Sequence, residues 1–204
     1  IIAGGAGSAK TTVANALVLA GGHTLADYTR IANESKDKIA AALKSGEADL
    51  VVAPTPDGTY YEAQGAGSVF ADLTTSEGTR KTLGSLFPSS TVYMTSERVK
   101  AHPETAQRLA DGFVRTLRFL HSHSPEEILA VIPFEISGPD RAAYLKVLKE
   151  ELPMFGGDGR MPAGAAEQEW RVLTEFKPDY KRVKVAETYT NEFVDVAIGG
   201  RDVH

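Results

Sequence analysis

The apolar tripeptide Ile1-Ile2-Ala3 runs directly into Gly4-Gly5-Ala6-Gly7-Ser8, and then into Val13, Ala16, Leu17 and Ala20, spaced i, i+3, i+4, i+7. This opening constrains the chain more tightly than any other stretch. The periodic residues require a helix, Ser8 is a natural N-cap for it, and the glycines before the cap allow a turn closed to larger residues. Such a turn points unpaired backbone N–H groups and the positive end of a helix at one place, where an anion can be held. Ser8, Thr11 and Thr12 add hydroxyl donors, and Lys10 adds a full charge if its stem turns back toward the loop. A plain strand-to-helix turn capped by Ser8 satisfies the same residues.

A phosphate-binding loop of the form Gly-x-x-x-x-Gly-Lys-Ser/Thr is nearly matched, with Gly4, Lys10 and Thr11 in register. Ala9 stands where the second glycine is needed, and its Cβ would crowd the phosphate cradle. Asp72, after Ser68-Val69-Phe70-Ala71, is the only candidate for a magnesium-holding carboxylate on this reading. The alternative function that follows is a nucleotide-binding enzyme using Lys10 and Thr11.

A formal net charge of −5 over 204 residues excludes a general phosphate-tracking surface, so no nucleic acid is expected as partner and any anion site is local. The chain has no cysteine, which removes disulfides, thiolate metal sites and cysteine nucleophiles together. No apolar run reaches membrane-spanning length. The abrupt opening on an apolar strand carries the expectation that material lies upstream.

Further along, Tyr28–Ala32, Leu50-Val51-Val52-Ala53 and Ser68–Asp72 read as strands, and they alternate with helices opened by Ser35 and passing through Tyr60, Tyr61 and Ala63. The alternation predicts an α/β unit with a mainly parallel sheet, whose ligand loops would be Gly4–Thr12, Asn33–Ser35 and Pro54–Thr59. Leu73–Ser90 reads as loop or hinge, and Thr91-Val92-Tyr93-Met94 as a last strand. Pro103 then opens a long helix with the apolar stripe Ala106, Leu109, Ala110, Phe113, Val114, Leu117 and Leu120. Ser124-Pro125-Glu126-Glu127 is a capping box, Pro133 ends its helix, and later helices carry Leu145, Leu148 and Leu152, then Trp170, Leu173 and Phe176, with a last one from Glu192. The resulting division is 1–88, an α/β lobe with the Gly-Ser loop, and 89–204, a helix-rich remainder.

The order of short motifs resembles a known family. The Gly-Ser loop on a helix start is followed by Ala42–Pro54 with Lys44-Ser45-Gly46-Glu47-Ala48-Asp49, by Tyr61–Asp72, and by Ser96–Phe113 with its His102-Pro103-Glu104. Together they resemble the substrate-binding proteins of nitrate-, sulfonate- and taurine-type ABC importers, a family that includes binding proteins for thiamine-pyrimidine precursors. The resemblance implies a periplasmic binding protein of type II. It would be a monomer of two α/β lobes that binds a small anionic or zwitterionic solute, without catalysis or cofactor, and delivers it to an ABC transporter permease. It implies a periplasmic or membrane-tethered location. Matched onto this chain, the ligand-binding residues are Gly7, Ser8, Ala9, Lys10 and Thr11 of the first loop and Pro54 and Thr55 of the second. Tyr60 is the candidate for an aromatic cleft wall. The family's N-terminal strands and helices have no counterpart in this sequence, so part of the first lobe is expected to be absent.

Other constellations are bland. His121 and His123 diverge on a helix and make no complete metal site, and no metal is expected. Glu126-Glu127 and Glu150-Glu151 are adjacent carboxylates that point apart, and Ser8 lacks the partners of a nucleophile elbow, so no catalytic residue is assigned. Asn33-Glu34-Ser35 has the form of a glycosylation acceptor, which arises often by chance.

Overall fold

The structure is a computed structural model that describes residues 1–32, 34–88, 90–155 and 157–199, with Phe176 described by its backbone alone. Asn33 of the acceptor motif, Gly156 and His204 lie outside the described residues. The chain is helical: 62% of it is helix and 2% strand, and among the described residues there is no sheet. In chain order the helices are α1 (Ala9–Ala20), α2 (Lys36–Ser45), α3 (Thr55–Ala63), α4 (Ser76–Leu83), α5 (Ser96–Ala101), α6 (Pro103–Ser122), α7 (Pro125–Val131), α8 (Phe134–Ser137), α9 (Arg141–Glu151), α10 (Ala165–Phe176) and α11 (Glu192–Gly199).

The expected α/β lobe with a parallel sheet is therefore corrected, and the type II periplasmic binding protein fold with it. The reason lies in strand length and partnership. Ile2 forms one parallel bridge to Ile31 and one to Val51, and pairing stops there. A run of three or four apolar residues supplies a bridge, whereas a ladder needs several consecutive pairs. Among the described residues, Ser68–Asp72 and Thr91–Met94 have no strand partner. Phe70 is 83% exposed and Tyr93 91% exposed, so the packing that makes β-branched and aromatic residues favour strands is missing.

The chain separates into two compact units, one made of 1–87 and 167–183, the other of 88–166 and 184–204. In the first unit, Ile2, Ile39, Ala40, Ala48 and Tyr61 bury one another, with Ile31, Leu43, Val51 and Tyr60 packed around them. A second cluster joins Ala16 of α1, Leu83 of α4 and Val172 of α10. Helix α4 occupies the stretch expected as loop. Thr75 accepts a hydrogen bond from Gly78 N–H at 3.0 Å as its N-cap, and Gly84 closes it in the left-handed conformation.

In the second unit, α6 starts at Pro103 and buries Ala106 and Val114, while Leu109 and Phe113 of the same stripe stay exposed. Helix α11 packs on α6, and Gln107 Nε2 donates to Phe193 O at 2.9 Å and Arg118 Nη2 to Ile198 O at 2.8 Å. Helix α7 starts at the expected capping box, with Ile128 and Leu129 buried. Arg141, at the start of α9, donates to Leu129 O and Ser137 Oγ, tying α7 and α8 to α9.

Candidate functional site

Because Ile2 bridges Ile31 and Val51 in parallel, the three segments leave the bridges on the same side. Gly4–Ser8, the residues after Ile31 and the residues after Val51 therefore emerge together within the first unit. The loop Gly4–Ser8 is the best built of the three. Thr11, only 5% exposed, turns its hydroxyl back under the loop, 2.8 Å from Gly4 O and 2.9 Å from Gly5 O, the two sharing its proton. Ser8 Oγ accepts from Thr11 N–H at 3.2 Å, and Thr12 Oγ1 donates to Ser8 O at 3.1 Å. A Cβ on Gly4 would stand 2.2 Å from Ser8 Oγ, which excludes a side chain there without loss of the cap. Gly7 sits at φ +82°, a conformation that costs other residues roughly 1–2 kcal/mol.

These bonds tie the carbonyls of Gly4 and Gly5 to the start of α1. Among the described residues, the backbone N–H groups of Gly5, Ala6, Gly7, Ala9 and Lys10 have no protein acceptor. The last two belong to the first turn of α1, where the helix dipole is positive. Two cations reach the loop from elsewhere. Arg30 Nη1 donates to Gly4 O at 2.9 Å, and Lys177 Nζ lies 3.5 Å from the point where a Cβ on Gly7 would be. Lys177 follows α10 in the 167–183 segment and stands over the Tyr180 ring at 5.2 Å from its centroid. Trp170 Nε1 donates to Tyr180 O at 2.9 Å and holds that turn. Lys10, Arg30 and Lys177 form no ion pair with a carboxylate among the described residues.

Gly7, Ser8, Ala9, Lys10 and Thr11 are thus contiguous in one loop and helix start, with the Thr11 hydroxyl directed into the protein. Pro54 is the N-cap residue of α3 and Thr55 its first residue, on the side of the bridges where the loop lies. Tyr60 donates its hydroxyl to Asp37 Oδ1 of α2, and this hydrogen bond to a carboxylate pushes the phenol pKa up. The Tyr60–Asp37 bond joins α3 to α2, and within α3 the Tyr60 and Tyr61 rings meet edge to face at 5.7 Å between centroids, with Tyr61 buried in the core. Asp72 Oδ1 accepts from the N–H and hydroxyl of Thr74 in a local turn. Among the described residues no cluster of three or more His, Asp or Glu side chains is placed to hold a metal ion.

Sequence reasoning missed Arg30 and Lys177. Arg30 falls within a stretch read as strand, and its alternation gives no sign that the guanidinium turns toward Gly4. Lys177 is separated from Gly7 by nearly the whole chain, and its only local signal is the Lys-Pro turn after a helix.

No family model matches the chain, and no curated protein matches it. It is similar to a solved structure of a protein from Bordetella bronchiseptica RB50, at 25% identity and a TM-score of 0.73. That similarity covers 96% of this chain and 63% of the other, so the chain spans less than two thirds of the solved protein's length.

Proposed function

We propose that this chain binds a small anionic or zwitterionic solute at the Gly4–Ser8 loop, and that it does so without chemistry on the solute. The observation that supports the reading is the meeting of unpartnered N–H groups with cations from distant parts of the first unit. Gly5, Ala6 and Gly7 contribute loop N–H groups, Ala9 and Lys10 contribute helix N–H groups, and Arg30 and Lys177 contribute charge. A negative head group such as sulfonate, phosphate or carboxylate satisfies both sets at once. The inward Thr11 hydroxyl separates this loop from a nucleotide-binding one, which needs that oxygen on magnesium.

Thermal unfolding of the chain against phosphate, sulfate, methanesulfonate, taurine, nitrate and acetate, with magnesium-ATP alongside, tests the proposal. A solute that binds only the folded state adds about 2.7 kcal/mol at 100 times its Kd. The expected result is a rise in Tm with at least one small anion, lost in the double variant Arg30→Gln, Lys177→Met while its unliganded Tm stays within about 2 °C of the parent. No response to any of these solutes, a response that survives the double variant, or a response to magnesium-ATP alone would each overturn it.

A further inference from the structure

The second unit contains a groove of about 350 Å³ between α6, α7 and α9, closed at one end by the turn Leu152–Phe155. Its apolar lining includes Phe119, Leu120, Ile128, Ile132, Leu148 and Phe155. His121 Nε2 bonds Phe155 O in the turn at 2.6 Å, and Phe119 is fixed by stacking on His123 at 3.9 Å between centroids. A groove of this size and character accepts the apolar body of a small molecule.

The polar groups on the wall determine what the other end of that molecule carries. Thr116 already donates its hydroxyl to Gly112 O at 2.9 Å, and Tyr144 adds a neutral phenol to the lining. Glu151 also lines the groove, and it is the last residue of α9. Among the described residues Glu151 has no ion pair, and the neighbouring Lys149 is occupied by Glu126 at 2.6 Å. Single-sign charge without a counterion, at the edge of an apolar groove, is complementary to one chemistry. We infer that the groove is a binding site for a small organic cation, an alkyl- or arylammonium whose apolar body lies along Leu148 and Ile128 and whose ammonium meets Glu151.

The test compares three isosteric probes on the whole chain by NMR titration: hexylammonium, hexanol and hexanoate. Hexylammonium is expected to shift the methyl signals of Ile128, Ile132 and Leu148 and to bind about tenfold more tightly than hexanol, the ratio given by about 1.4 kcal/mol of charge-assisted hydrogen bonding. Glu151→Gln, at a solvent-reached helix end, should reduce that ratio to less than twofold and leave hexanol binding unchanged. Hexanoate shifts at Gly4–Ser8 belong to the anion site and do not count. Read on the methyl signals of Ile128, Ile132 and Leu148 alone, equal affinity for hexylammonium and hexanol, tighter binding of hexanoate, or no shift with hexylammonium would overturn the inference. So would absence of all three shifts in a chain whose NMR spectrum is dispersed. Anion binding at Gly4–Ser8 stands or fails separately, since none of the probes' signals belong to that unit.

Discussion

Thr11 shows how one buried hydroxyl can set the character of a loop. Its single proton is shared between two carbonyls, Gly4 O and Gly5 O, which ties the loop to the start of α1 while, among the described residues, the N–H groups of Gly5, Ala6 and Gly7 keep no protein acceptor. Thr11→Val keeps the shape and removes the bond. We expect it to lower stability by about 1–2 kcal/mol, read as a shift of the urea midpoint at unchanged m-value, and to weaken anion binding through the loosened loop. Glu169, half-buried on α10, has its carboxyl pKa pushed up by desolvation. A folded-state pKa above the unfolded value means that Glu169 destabilises the protein once pH rises through it, and that the penalty is absent below the unfolded carboxylate range. Glu169→Gln should therefore stabilise the protein at neutral pH, with the gain vanishing in acid, as equilibrium unfolding at pH 7 and pH 3 would show.

At the scale of elements, the helices followed from sequence wherever a cap and an apolar period agreed. Ser8 with Val13, Ala16 and Leu17 gave α1, Pro103 with Ala106 and Val114 gave α6, and Ser124 with Glu127 gave α7. Helix α4 was missed because Ser76–Leu83 buries only Thr79 and Leu83, too few residues to show a period, and its definition comes from Thr75 and Gly84 at its ends. The strands failed for the opposite reason: their composition was right, but a strand is a relation between segments, and among the described residues Val92 and Tyr93 have no segment to pair with. The α7 capping box also gives a pH prediction. Ser124 N–H and hydroxyl donate to Glu127 Oε2, both at 2.8 Å, and hold its pKa below the usual carboxylate range. The stability this contributes is present above the unfolded pKa and lost as pH falls through the lowered one. Glu127→Gln should consequently cost stability at pH 7 and nothing once the wild-type carboxyl is protonated, with the two unfolding curves converging in acid.

For the whole molecule, half of the candidate site was legible and half was not. Gly4–Thr11 announces itself because glycine, cap and helix period are adjacent in sequence, so local rules suffice. Arg30 and Lys177 depend on how the chain folds back. That return is also visible in the second apolar cluster, where Val172 completes the contact between Ala16 and Leu83. Residues 1–87 expressed alone would lack Val172 and leave that cluster open on one side. We expect the truncated chain to lose cooperative unfolding, checked by its thermal transition and by whether a peptide spanning 165–184 restores it.

The same connectivity bears on how this protein would come apart. The first unit is discontinuous, its two pieces separated in sequence by 88–166. A protease that nicks the exposed stretch at Thr91–Met94 cuts the backbone without dividing the fold, since Val172 still sits against Ala16 and Leu83 from the other side of the cut. The fragments should remain a single species on a sizing column and separate only in denaturant.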